Sequence, residues 1–251
     1  MDRNMQEMYR EMTRATPGGF VVERSGLVMV GAPLGTIVTN MVIVSGPTDV
    51  DSIRRETARV FGEAALPFSV HTRAHADAAL EADLEASGFR EINATPGMTL
   101  GPEDGASRER VPRLDIRAVT NDVERCAYGE VMAESYAVYG TPPESTRGFF
   151  DRMDAVCGPT TQAYLGWVDG VPVAGAILYL SHGIAGIGWV GTRPQVFGRG
   201  YGAALTWHVV DEGFRRGAPL VNLQASPMGA PLYQRMGFAT PTHYRMFIDV
   251  A

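Results

Sequence analysis

The chain has 251 residues, 45% of them hydrophobic, and a formal net charge of −6. That length fits one large core or two compact units of ordinary size, and the acidic balance speaks against a nucleic-acid footprint, which needs surplus Lys and Arg. No apolar run reaches the roughly 18 residues of a membrane helix, the first residues lack the apolar core of a signal peptide, and Cys126 and Cys157 make neither a disulfide framework nor a metal spacing. The expectation is a cytoplasmic protein with no metal, no nucleic acid and no membrane partner.

In chain order, an opening helix precedes a strand pair at 20–30 and 36–44. A helix with a capping signal at Thr48 and Asp51 follows, then a strand at 68–72, a helix through Leu80 and Leu84 that stops at Gly88-Phe89, and a strand at 93–100. Residues 101–112 are polar and rich in Gly and Pro, which reads as a linker between units at 1–100 and 113–251. In the second unit, 114–119 alternates as a strand and Asn121 is placed to cap a helix running toward Tyr136. A second helix fits 143–154, strands fit 162–168, 173–180 and 184–192, and Ala203, Trp207, Val210 and Phe214 recur at helical spacing. A strand at 220–225, a short helix at 229–236 and a strand at 243–250 complete the chain. The first hundred residues read as a degenerate copy of the same half-topology.

Between the strand at 184–192 and the following helix lies Gln195-Val196-Phe197-Gly198-Arg199-Gly200-Tyr201-Gly202-Ala203. Glycines let backbone N–H groups and a helix N-terminus converge on an anion, so this turn is suited to phosphate. A nucleoside-triphosphate loop needs a lysine there, and the chain contains none: all 22 of its Lys+Arg residues are Arg. Gly198-x-Gly200-x-x-Ala203 formally fits a dinucleotide fingerprint, but the next strand, Leu220-Val221-Asn222-Leu223-Gln224, lacks the acid that would bind ribose. A third reading is the pyrophosphate loop Gln/Arg-x-x-Gly-x-Gly/Ala.

The sequel favours the third. Ala230-Pro231-Leu232-Tyr233-Gln234-Arg235-Met236-Gly237-Phe238 follows the loop at the order and spacing of a closing Leu-Tyr-x-x-x-Gly-Phe motif. Together the two motifs resemble the bacterial GCN5-related N-acetyltransferases (GNAT family) over about 113–251. The resemblance implies an α/β (α+β) GNAT fold, a mixed, mostly antiparallel central sheet flanked by helices, with a smaller N-terminal α/β domain of similar half-topology. It implies acetyl-CoA (coenzyme A) as cosubstrate and a small-molecule or peptide amine as acceptor, with direct attack in a ternary complex; it leaves a homodimer open.

Residue by residue, the resemblance places the pyrophosphate on Phe197, Gly198, Arg199, Gly200, Tyr201 and Gly202. The pantetheine arm would pair with Val190, Gly191 and Thr192, where the strand's glycines would admit a ligand backbone, against the alternative of a simple bulge. Tyr233 stands where the family places a tyrosine near the thioester sulfur, and Ser226 where many relatives carry Asn. Glu130 and Glu134, four apart on a helix, are candidates for attracting a cationic amine, against the alternative of a solvated face. Two departures stand out. Phe197 replaces the usual Gln or Arg, and the strand 184–192 carries no Glu, Asp or His to act as general base. A non-catalytic acyl-CoA-binding or regulatory module therefore stays open, as does other acyl-CoA chemistry on this scaffold, such as decarboxylation.

Overall fold

The computed structural model describes residues 1–33, 37, 39–62, 64–104 and 114–250. Helix α1 (Asp2–Ala15) leads into β1 (Phe20–Arg24) and β2 (Leu27–Gly31), so the run expected as one strand at 20–30 is a hairpin. Gly26, at φ +74°, makes its turn. Next come β3 (Met41–Val44), α2 (Val50–Val60), β4 (Ser69–Arg73), α3 (Ala78–Ala86) and β5 (Phe89–Leu100). The α2 cap is Asp49, whose carboxylate accepts from the Ser52 N–H at 2.7 Å; it replaces the expected Thr48. Most of the expected linker falls at 105–113, outside the described residues.

The second half comprises β6 (Asp115–Ala118), α4 (Asp122–Ala137), α5 (Pro143–Phe149), β7 (Thr161–Val168), β8 (Val171–Ser181), β9 (Ile184–Thr192), α6 (Tyr201–Arg215), β10 (Val221–Gln224), α7 (Ala230–Arg235) and β11 (Ala239–Asp249). Asn121 caps α4 as expected, accepting from Glu124 N–H at 3.0 Å, while the Glu124 carboxylate accepts from Thr120 N–H at 2.8 Å. The second expected helix, 143–154, breaks at Phe149 and resumes as a single 3-10 turn, Met153–Ala155.

Both halves follow one plan. β1-β2-β3 and β7-β8-β9 are antiparallel meanders, α2 and α6 are crossovers to the parallel strands β4 and β10, and a short helix then leads to a long closing strand. The closing strands are exchanged. β5 of the first half pairs with β10 of the second, β11 of the second pairs with β4 of the first, and β5 and β11 run antiparallel to each other at the centre. The result is one 11-stranded sheet in the order β1-β2-β3-β4-β11-β5-β10-β9-β8-β7-β6.

Helices cover both faces. On one, α6 packs Leu205, Val209 and Val210 over Leu178, Ala185 and Val221, and α2 and α3 pack Ile53, Leu80 and Leu84 over Leu27, Val42 and Phe247. On the other, α4 sets Tyr128, Val131 and Met132 against Ile177 and Tyr179, and α1 reaches both halves: Met12 joins that cluster and Tyr9 packs against Val28, Val30 and Met41. Asn4 pins α1 to the second half. It is 1% exposed, and its amide donates to Ser181 Oγ at 2.9 Å and Ile184 O at 3.1 Å.

Candidate functional site

β9 and β10 pair in parallel only from Ala185↔Val221 to Ile187↔Leu223 and then diverge. The divergence coincides with a bulge in β9, where the register against β8 shifts between Gly188 and Gly191 and Trp189 adopts φ +49°. For a bulky residue that conformation is strained, and surrounding contacts hold it. The Trp189 ring lies 4.7 Å from Tyr136 and 5.0 Å from Phe150, its Nε1–H donates to Met12 Sδ at 2.8 Å, and its carbonyl accepts from Tyr128 Oη at 3.0 Å. The bulge turns Val190, Gly191 and Thr192 toward a cleft of ≈ 540 Å³.

The glycine loop forms the mouth of this cleft. Gly198 and Gly200 take φ +77° and +80°, and a Cβ on Gly198 would meet nothing within 4 Å. Gly200 is the N-cap of α6 and supplies no side-chain bond, so the first N–H groups of a 15-residue helix are left for something other than the protein. Phe197, Arg199, Tyr201 and Gly202 line the same space, as does Arg235 from the end of α7. Arg199 and Arg235 are exposed, and neither enters an ion pair among the described residues.

At the inner end, Tyr233 from α7 is 7% exposed and its ring meets Phe238 edge-on at 5.8 Å. Burial raises its pKa well above the usual phenol range, partly offset by the hydroxyl of Thr206. Ser226 faces the cleft too, but its hydroxyl is engaged: it accepts from Gly229 N–H at 3.1 Å and lies 3.0 Å from Tyr139 Oη. All the expected cofactor-binding residues, with Tyr233 and Ser226, thus line one cavity.

Glu130 and Glu134 do not. Glu130 forms a two-point ion pair with Arg147, at 2.7 and 3.0 Å, which lowers its pKa, and Glu134 pairs with Arg193 at 2.5 Å. Each carboxylate already has a cation. The glycines of β9 also differ from expectation. A Cβ at Gly186 would sit 2.3 Å from Asn4 Oδ1, one at Gly188 3.0 Å from Met8 Sδ, and one at Gly191 2.8 Å from Ser135 Oγ. They make room for side chains of α1 and α4, and the bulge, not the missing Cβ atoms, opens the strand to a ligand.

Residues 127–238 match the model of the Acetyltransferase (GNAT) family. This region is a GNAT-family domain. Across the whole chain the fold is similar to that of a GCN5-related N-acetyltransferase from Kribbella flavida, at 19% identity and TM-score 0.75, covering 100% of this chain and 95% of that one. It also resembles a GCN5-related N-acetyltransferase from Sphaerobacter thermophilus, at 21% identity and TM-score 0.62, over 88% of this chain and 79% of the other. A tandem GNAT protein from the clavulanic acid biosynthesis pathway aligns at 15% identity and TM-score 0.59, over 96% and 86% of the two chains. No curated protein matches by sequence. Among the described residues no helix is long and apolar enough to cross a membrane, and no cluster of three metal-ligating side chains occurs.

Behind the GNAT cleft lies a second chamber of ≈ 320 Å³ that shares Tyr136, Tyr139, Val190, Ser226 and Tyr233 with it. Its opposite wall comes from the first half of the chain: Met5, Met8, Tyr9 and Met12 of α1, Met41 of β3 and His71 of β4. Sequence reasoning missed this wall. The methionine spacing along α1 reads as ordinary core packing, and only the sheet shared by both halves turns it toward the site. His71 is buried and neutral, its pKa pushed down to about 4 by desolvation.

Proposed function

We propose that this chain is an acetyl-CoA-dependent N-acetyltransferase that passes the acetyl group directly to an amine in a ternary complex. One observation carries the reading: a phosphate-suited glycine loop, a bulged strand with its backbone turned outward and a buried tyrosine line one cleft, which continues through a shared wall into a second chamber. The residues suit the cosubstrate. The N–H groups from Gly198 to Gly202 would hold the pyrophosphate, with Arg199 and Arg235 at the mouth, and the backbone at Val190–Thr192 would hold the pantetheine arm and orient the thioester carbonyl. Bound acetyl-CoA supplies an activated acyl group and a thiolate leaving group.

Tyr233 then acts as a hydrogen-bond donor to the departing sulfur. A phenol near pKa 10 is already a weaker acid than a thiol near 8.5, and burial raises Tyr233 further, so full proton transfer is strongly uphill. Ser226, bonded to Tyr139 and to the start of α7, fixes the wall between cleft and chamber. Among the described residues no Asp or Glu lines either cavity. The amine therefore enters neutral or loses its proton through water, which favours acceptors of low pKa. The same absence is what favours a non-catalytic acyl-CoA-binding module as the second reading.

We read the domain plan as two GNAT-like halves, 1–100 and 113–251, joined by 101–112, with cosubstrate binding confined to the second. Asp49 supports this, because its carboxylate occupies the N-terminus of α2 at the position where α6 stands uncapped. Calorimetric titration with acetyl-CoA, followed by thiol release with pooled amines in the same sample, tests the function. Binding with amine-dependent release supports acetyl transfer, binding without release supports the second reading, and no binding overturns both.

A further inference from the structure

The chamber behind the cleft has an unusual electrostatic character for a site that would receive an amine. Among the described residues no Asp, Glu or Arg lines it; its polar groups are amides, hydroxyls, the Trp189 indole and one imidazole. Tyr9 and Gln224 bond to each other, Tyr9 Oη donating to Gln224 Oε1 at 2.9 Å and the Gln224 amide donating to Thr95 Oγ1, whereas the buried Asn222 Oδ1 has no partner among the described residues and stands as a neutral acceptor. The tautomer of the imidazole follows from geometry. Ser69 Oγ donates to the Ile37 carbonyl at 2.7 Å and lies 2.9 Å from His71 Nε2, so the serine oxygen accepts from Nε2–H and Nδ1 carries a free lone pair.

Length follows from topology. The chamber begins at Tyr233 and Ser226 beside the cleft and reaches His71 on β4. Between β10 and β4 lie β5 and β11, which makes three interstrand spacings, or about 14 Å. Met5, Met8 and Met12 of α1 border this length, and their unbranched thioethers can adapt to an apolar body. We infer that the chamber takes its acceptor as an elongated primary amine on an uncharged, largely apolar body, whose far end carries a neutral hydrogen-bond donor read by His71. The inference rests on the acetyl-transfer reading above. A second charge on the acceptor would be desolvated opposite amides and thioethers with no counter-ion, which is strongly unfavourable.

Three amines of equal length separate the cases: 8-amino-1-octanol, 1,8-diaminooctane and 8-aminooctanoic acid, with octylamine as reference. Acetyl-CoA binding is measured first by calorimetry, and thiol release then gives kcat/KM for each amine with the full-length protein. The amino alcohol is expected to exceed the diamine and the amino acid at least 10-fold. In His71→Leu its advantage over octylamine falls at least 5-fold, and in His71→Gln, which keeps a hydrogen-bonding group, the advantage is largely retained. Turnover of the diamine or the amino acid equal to that of the amino alcohol, with acetyl-CoA bound, overturns the inference and leaves acetyl transfer standing. The four reacting amines share a lysine-like pKa, so release is read at about pH 9, where their deprotonation costs less; binding with no release from any of them there also overturns the inference, and absence of acetyl-CoA binding removes the acetyl-transfer reading itself and the inference with it.

Discussion

Single positions separate binding from chemistry at this site. Gly202 lies in the first turn of α6, where an ideal Cβ would be 3.3 Å from Thr192 Oγ1 and a longer side chain would enter the cleft. Gly202→Asp should weaken acetyl-CoA binding at least 100-fold by calorimetry while leaving Tm unchanged or slightly higher, because an acid at a helix N-terminus is locally favourable. On the proposed mechanism Tyr233→Phe should do the reverse, lowering kcat about 100-fold with the acetyl-CoA Kd little changed, since it would remove one donor to developing charge. His71 gives a stability test. Its folded pKa of about 4 lies below the unfolded value near 6.5, so the unfolded chain binds more protons between those limits, and stability falls as pH drops from about 6.5 to about 4. The loss approaches about 3 kcal/mol, and denaturant titrations at several pH values should show a flatter acid limb in His71→Gln than in the wild type.

At the scale of elements, the contact of α1 with β9 governs the chamber. Gly186 and Asn4 are complementary: the space a Cβ would take at 186 holds the Asn4 amide, which bonds Ser181 and Ile184. Gly186→Ala should destabilise by about 1–3 kcal/mol through overpacking, and Asn4→Ala by about 1–3 kcal/mol through lost hydrogen bonds. The double variant should cost clearly less than the sum, because both changes break the same contact. Strict additivity in denaturant unfolding would refute this account of the glycine. The helix and loop elements were legible from local signals: Asn121 caps α4, and the glycines at 198 and 200 do take left-handed conformations. The bulge at Trp189 was legible only as an alternative reading of the glycines at 186, 188 and 191, which do not say where it falls; Tyr136, Phe150 and Met12, all distant in sequence, hold the residue there.

Across the whole molecule, exchange of β5 and β11 makes each half depend on the other for a closing strand. Unfolding should therefore be cooperative over the full chain. All three tryptophans, 167, 189 and 207, lie in the second half, so their fluorescence reports on that half and far-ultraviolet circular dichroism on both. The two signals should give coincident transitions in urea. A separate early phase in the dichroism would show that the first half unfolds alone.

The sequence by itself determined the elements whose causes are local. These are the glycine turn with its helix, the Leu-Tyr-x-x-x-Gly-Phe stop, the Asn121 cap, and the echo of Met236-Gly237-Phe238 in Gly88-Phe89, which corresponds to the shared plan of the halves. The tertiary structure alone decided the pairing of β5 with β10 and β11 with β4, the arginine partners of Glu130 and Glu134, and the filling of the β9 glycines by Asn4, Met8 and Ser135. It also decided the chamber wall built by α1 and β4. The physical reason is common to all of them. Turn chemistry and helix periodicity act over a few residues and leave a mark in the sequence, whereas strand exchange, ion pairing and cavity walls depend on which distant surfaces are buried together.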